Sequence, residues 1–229
     1  MPTRREATAR IIAAALAAVP ALAIGDEPRP FALPAPLGDD RTTLAAALKM
    51  RRSTRAYSDR LLPAQTLSEL LWAAYGINRP SGDRTAPYWR HVMLLDLYVA
   101  KADGVWLYEP KMHTLLPYLP VDIRAQTGQQ DFVATAPVNL VYVAHGERMS
   151  GITNEERRLY ACVDTAFVGQ NVYLYCASVG LGTVFRASID YPRLERALNL
   201  AGTPDTQFVT FAQTVGYPAD GAKPLKGEH

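Results

Sequence analysis

The chain has 229 residues, 48% hydrophobic and 20% charged, which suits one folded domain with a full core rather than a disordered polymer. Its 24 basic and 22 acidic residues leave a formal charge of +2, and no basic stripe with interleaved aromatics occurs, which argues against a nucleic-acid partner. Two cysteines and four histidines without ligand spacing give no sign of a metal centre.

The N-terminus runs Thr3-Arg4-Arg5-Glu6-Ala7, continues uncharged from Ile11 to Ala23, and ends Ala21-Leu22-Ala23. That is a basic n-region, a short apolar h-region and an A-x-A cleavage site, so residues 1–23 read as an export signal cut after Ala23. The paired arginines point to the twin-arginine machinery, which exports folded proteins, and hence to a periplasmic or otherwise exported product. The apolar run of roughly 13 residues is shorter than the ~20 that span a bilayer, so no stable membrane anchor is expected. Removing residues 1–23 takes three of the 24 basic and one of the 22 acidic residues, leaving 21 of each and no net charge.

Residues 24–40 carry Pro28, Pro30, Pro34 and Pro36 and read as an extended N-terminal arm. A first helix is predicted from a Thr42 or Thr43 cap to about Met50. In a second, Thr66 and Glu69 have capping-box spacing, and Leu67, Leu70, Leu71 and Ala74 share a face that ends near Gly76. Residues 79–90 are loop-like. His91–Leu95 and Val105–Tyr108 read as strands joined through the turn signal Asp103-Gly104.

Val138–Val143 is a near-continuous apolar strand suited to the middle of a sheet. Glu155–Val179 is the longest helix, apolar around most of its circumference from Leu159 onward, which calls for burial in a core or an interface. Gly180 ends it, Thr183–Phe185 follows as a strand, a short helix follows Pro192, and Gln207–Val215 is the last strand. The class expected is α+β, helices around a mainly antiparallel sheet, with one domain over residues 41–218 and a tail over 219–229. Cys162 and Cys176 fall about 14 residues apart on the long helix, roughly 21 Å, which excludes a bridge between them.

Two segments carry chemistry. Arg51-Arg52-Ser53-Thr54-Arg55 places three arginines and a hydroxyl just after a helix, a composition that can chelate a phosphate. Gly180-Leu181-Gly182-Thr183 lies between a buried helix and a strand, where glycine lets backbone approach a planar ligand. Each alone has a plain structural explanation, as a solvated helix end and as a helix cap.

In order along the chain they combine with Leu70–Arg79, Thr85-Ala86-Pro87, Asp164, Gly169-Gln170-Asn171 and Val215-Gly216-Tyr217-Pro218. This set resembles the flavin-dependent nitroreductase family over residues 41–218, on a branch close to the azoline dehydrogenases of modified-peptide synthesis. The resemblance implies an α+β homodimer with FMN at the subunit interface and NAD(P)H as a possible electron donor. The implied activity is an oxidoreductase moving hydride, through tightly bound flavin, to or from a small organic substrate. The family's phosphate-holding segment maps to Arg51 or Arg52, Ser53 and Arg55. Its Pro-Ser-x-x-Asn segment maps to Pro87, Tyr88 and His91. Its Gly-Leu-Gly turn and the residues after it, which contact the redox edge of the flavin, map to Gly180, Leu181, Gly182 and Thr183, then Ala187 and Ser188. Lys223 or Lys226 would complete the phosphate site.

The chain departs from that pattern at Tyr88, in place of the usual Ser, and at His91, in place of Asn. Arg186 sits beside the implied flavin edge, where substrate and Asp190 are both conceivable partners. No acid–base pair stands out, and none is assigned. The competing expectation is an exported protein of the same fold, flavin-bound or flavin-free, without turnover.

Overall fold

A computed structural model describes residues 28–37 and 42–220. The export signal and the tail lysines Lys223 and Lys226 lie outside the described residues. The elements in chain order are β1 (Phe31–Ala32), α1 (Leu44–Met50), α2 (Ala64–Tyr75), β2 (Leu95–Lys101), β3 (Gly104–Glu109) and β4 (Thr114–Leu119). They continue with β5 (Val138–His145), α3 (Asn154–Val179), β6 (Gly182–Arg186), α4 (Tyr191–Ala197) and β7 (Gln207–Gly216). The strands form one sheet in the order β1-β4-β3-β2-β5-β7-β6, with every neighbouring pair antiparallel. The α+β class expected from the sequence is the class found.

β5 is buried at all of its positions because both of its faces are covered. Leu140 and Tyr142 join the cluster formed with Leu70 and Leu71 of α2 and with Val168 and Val172 of α3. Val141 and Val143 point the other way, to Leu194 of α4 and to Val209 and Ala212 of β7. This is the period-two alternation of a strand between two apolar layers. Full burial of side chains such as Leu70 and Leu71 stabilises the fold by about 1.5–3 kcal/mol each.

α3 starts on a capping box. The Thr153 hydroxyl accepts from the Glu156 N–H while the Glu156 carboxylate takes the Thr153 N–H, so two donors of the first turn are satisfied. Gly180 ends the helix in the left-handed region at φ 76°. Cys162 and Cys176 are both free thiols on this helix. Burial along α3 is one-sided: Leu159, Val163 and Phe167 remain 57%, 41% and 45% exposed.

Two boundaries differ from expectation, and one strand was not expected. Thr66 does not cap α2, which begins at Ala64 behind Pro63. Glu69 turns away from the helix start, accepting instead from Gln65 Nε2 and Tyr175 Oη. The strand expected at His91 begins at Leu95, because Arg90 and His91 take left-handed backbone angles (φ 44° and 58°) and turn the chain. β4 went unread because it contains Pro117, which lacks a ladder donor; it is accommodated where the β3–β4 register shifts between Val105 and Trp106. The hairpin through Asp103-Gly104 forms, with Lys101 paired to Gly104. No helix among the described residues is long and apolar enough to cross a membrane.

Candidate functional site

The segment after α1 is sewn to the far edge of the sheet at two places. Ser53 bridges Thr183 of β6 in parallel, and the Thr54 N–H donates to the Thr183 carbonyl at 2.9 Å. Further on, Tyr57 bridges Pro218, the Ser58 N–H donates to Tyr217 O, and the Ala219 N–H returns to Ala56 O. The arginine segment is thereby held as a short added strand rather than a free loop.

Gly182 makes the first attachment possible. A Cβ there would stand 2.8 Å from Thr54 Cγ2 and 2.9 Å from Thr54 Cβ, too close for any side chain.

Between this strip and the C-terminal turns of α3 lies a cavity of about 520 Å³. Arg52, Ser53, Thr54 and Arg55 line one side, Tyr173, Cys176, Ala177 and Gly180 another, with Leu181, Thr183 and Pro218 closing it. Ser53 Oγ and Tyr173 Oη are 2.8 Å apart, and Tyr173 Oη also accepts the Phe185 N–H at 3.0 Å, which orients the serine. Arg51 stacks over the Tyr173 ring, 5.3 Å from its centroid, and Arg52 Nε reaches only the Met50 carbonyl at 3.4 Å. None of the three arginines forms an ion pair among the described residues. Burial pushes the Cys176 thiol far up, a shift that its hydrogen bond with Thr183 only partly offsets, so it lines the cavity as a neutral, unreactive group.

Arg186 does not pair with Asp190. It is buried, with Nε on Thr214 Oγ1 at 3.1 Å, Nη1 on Thr127 O at 2.8 Å and Nη2 on Asn139 Oδ1 at 3.2 Å. Burial pulls its pKa down to about 10, which leaves it charged at neutral pH. Asp190 instead caps α4 by accepting the Arg193 N–H. Ala187 and Ser188 lie exposed at the exit of β6, where Ser188 Oγ bonds Gln129 Oε1 at 3.0 Å.

Pro87, Tyr88 and His91 stand apart from the cavity within one protomer. Their loop lies on the N-terminal half of α3: the Trp89 N–H donates to Asp164 Oδ2 at 2.8 Å and the Trp89 ring stacks on Tyr160. Tyr88 donates its hydroxyl to Asp83, and the His91 side chain is 88% exposed, 3.8 Å from Asp83. Asp164 is buried, which pushes its carboxyl up to about 6 against the opposing effect of the Trp89 N–H.

The model of the nitroreductase family matches residues 48–217, nearly the whole described domain. The chain belongs to the nitroreductase family. A candidate nitroreductase of Methanocaldococcus jannaschii is 33% identical over 151 residues, covering 62% of this chain and 76% of that protein. A crystal structure of a candidate nitroreductase from Ralstonia eutropha is 37% identical, with a TM-score of 0.79, covering 86% of this chain and 92% of its own. A third, from Desulfovibrio desulfuricans and solved in complex with FMN, shares the fold at 20% identity and a TM-score of 0.57, covering 82% and 93%.

Of the residues assigned to the site from the sequence, Arg52, Ser53, Arg55, Gly180, Leu181 and Thr183 line this one cavity, while Tyr173 and Thr54 line it without such an assignment. Tyr173, Cys176, Ala177 and Gly180 recur at i, i+3, i+4 and i+7, a single helix face pointing at the arginine segment, and that spacing was the available signal.

Proposed function

We propose that this member of the nitroreductase family is an FMN-dependent oxidoreductase acting on a small organic substrate. The reading is carried by one observation: Arg52, Ser53 and Arg55 meet the Gly180–Thr183 turn around a single cavity. The donors there fit a phosphorylated flavin. The arginines form no ion pair among the described residues, the Ser53 hydroxyl is fixed by Tyr173, and Gly182 leaves the room Thr54 needs for the arginine segment to lie against β6.

FMN, when bound, supplies two-electron chemistry. The chain's own residues bind and orient. Arg52 and Arg55 neutralise phosphate, with Arg51 behind them on Tyr173, and Leu181, Cys176 and Ala177 form a wall that keeps water out. Backbone N–H groups at Ala187 and Ser188 are the candidates for the far end of the ring.

The active species is proposed to be a homodimer. Leu159, Val163 and Phe167 of α3 and Leu44 and Leu48 of α1 expose apolar surface that a second copy would bury, and the partner's Pro87–His91 loop would then complete the site. NAD(P)H is the proposed donor; oxidation of the substrate, as in azoline dehydrogenases, is the alternative direction. From the twin-arginine reading of residues 1–23 the protein is proposed to be periplasmic or otherwise exported, which cell fractionation tests directly.

The deciding experiment is an absorption spectrum of the purified protein, before and after incubation with FMN and re-isolation. Flavin bands that bleach under anaerobic NADH or NADPH support the reading; a colourless protein after reconstitution sinks it. A second reading, flavin binding without turnover, is favoured by Tyr88, whose hydroxyl is committed to Asp83 in the loop where the family carries serine. Stable flavin that no donor or substrate bleaches would select it.

A further inference from the structure

A second cavity, of about 320 Å³, shares no lining residue with the arginine cavity. It lies where the end of α2 and the loop after it pass over β2 and β3, with Leu95 and Leu97 of β2 in its lining on the face that α2 covers. Arg84, which lines it, is only 7% exposed, yet Nε and Nη1 have no hydrogen-bond partner. Its remaining polar contact is Nη2 to Met93 Sδ at 3.2 Å, a weak acceptor, and its guanidinium sits 5.1 Å from the centroid of Tyr75. The Tyr75 hydroxyl, in the same lining and 3% exposed, is likewise unpartnered. Burial holds that phenol well above its ordinary range, so it is a donor at any physiological pH. A buried guanidinium with no counter-charge is a costly arrangement in a folded protein, and one beside a second idle donor calls for an acceptor.

The carboxylates in the lining do not fill that role. Asp96 accepts from His145 Nε2 at 2.7 Å and stands 3.8 Å from Arg148, while Glu109 takes the Lys111 N–H at 2.9 Å. They do set the ligand's charge. With Arg84, Lys111 and Arg148 against Asp96 and Glu109, the lining carries a single net positive charge, suited to a monoanion and poorly suited to a phosphate dianion. The leucine wall suits an apolar body attached to that anion.

We propose that this cavity binds a small organic monocarboxylate, its carboxylate paired with Arg84 and accepting from the Tyr75 hydroxyl, its apolar part against Leu95 and Leu97. Because the site is separate from the arginine cavity, the proposal stands independently of flavin chemistry.

The test is calorimetric titration of the full chain with benzoate, and separately with inorganic phosphate, on wild type, Arg84→Met and Tyr75→Phe. Benzoate is expected to bind wild type, to weaken at least about tenfold in Arg84→Met, and to weaken by a smaller factor in Tyr75→Phe, which removes only one oxygen. Arg84→Met should fold at least as well as wild type, since it removes an unpaired buried charge; if it does not fold, Tyr75→Phe alone decides. No benzoate binding, binding that both variants retain in full (a ligand seated in the arginine cavity), or a preference for phosphate would each overturn the assignment.

Discussion

Gly182 and Thr54 face each other so closely that a methyl group on the glycine would sit 2.8 Å from Thr54 Cγ2. The contact includes Thr54 Cβ at 2.9 Å, which cannot swing aside without moving its backbone, and that backbone is bonded to Thr183. Gly182→Ala is therefore expected to push the arginine segment off β6. Overpacking of this kind costs about 1–3 kcal/mol, read as a lower denaturation midpoint, and flavin affinity should fall with it. Full stability together with unchanged flavin binding would show that the strip is not fixed at this point.

Arg52 and Arg55 make no ion pair among the described residues and are exposed, so the fold does not depend on them. Arg52→Gln and Arg55→Gln should leave stability within about 0.5 kcal/mol while weakening FMN roughly tenfold each, the order expected for a lost charge-assisted bond to phosphate. Quenching of flavin fluorescence on titration measures this. Riboflavin, lacking the phosphate, should bind wild type and variants alike; equal losses for both ligands would place the arginines at the ring instead.

The elements that set up this site were legible because their signals are local. Gly180 after an apolar helix, a threonine cap at Thr42 or Thr43 ahead of Leu44, and the near-continuous Val138–Val143 run each rest on a few adjacent residues; the helix ends at Gly180, the cap is Thr43 and the strand runs to His145. What escaped depends on distant partners. Pro117 sits within a strand only because the register slips opposite it, and Arg186 is consumed by Thr127, Asn139 and Thr214, residues 28 to 59 positions away. The resemblance brings the loop through Tyr88 and His91 to a flavin ring at a subunit interface; within one chain that loop rests on the N-terminal half of α3, tied to Asp164.

Asp164 gives that loop a pH signature. Its carboxyl titrates near 6 in the fold against 3.8 ordinarily, so between these values the folded chain holds more protons than the unfolded one. Stability conferred by the neutral form is fully present below about pH 4 and is lost as pH rises through about 6. Asp164→Asn, which keeps an acceptor for the Trp89 N–H, should be about 1–3 kcal/mol more stable than wild type near pH 8, an advantage that vanishes toward pH 4. Urea denaturation of both proteins across that range measures the difference; a difference that does not vary with pH would mean the carboxyl is not perturbed.

Leu159, Val163 and Phe167 follow one another at i, i+4 and i+8 on α3, the helix whose last turns line the arginine cavity. Among the described residues nothing covers them fully, since they stay 57%, 41% and 45% exposed, and a covering partner would give each a reason to be apolar. A charge placed in such a face when it is buried in a dimer is left without a partner and costs several kcal/mol, whereas in a monomer it would stay in water at no cost. Phe167→Glu is accordingly expected to sediment as a folded monomer where wild type sediments as a dimer, with a circular dichroism spectrum like that of wild type. Since the second copy is proposed to bring its Pro87–His91 loop to the flavin, the monomer should also bind FMN more weakly, although Phe167 does not line the cavity. A wild-type protein already monomeric at micromolar concentration would remove the partner from the site, and the Tyr88 loop with it.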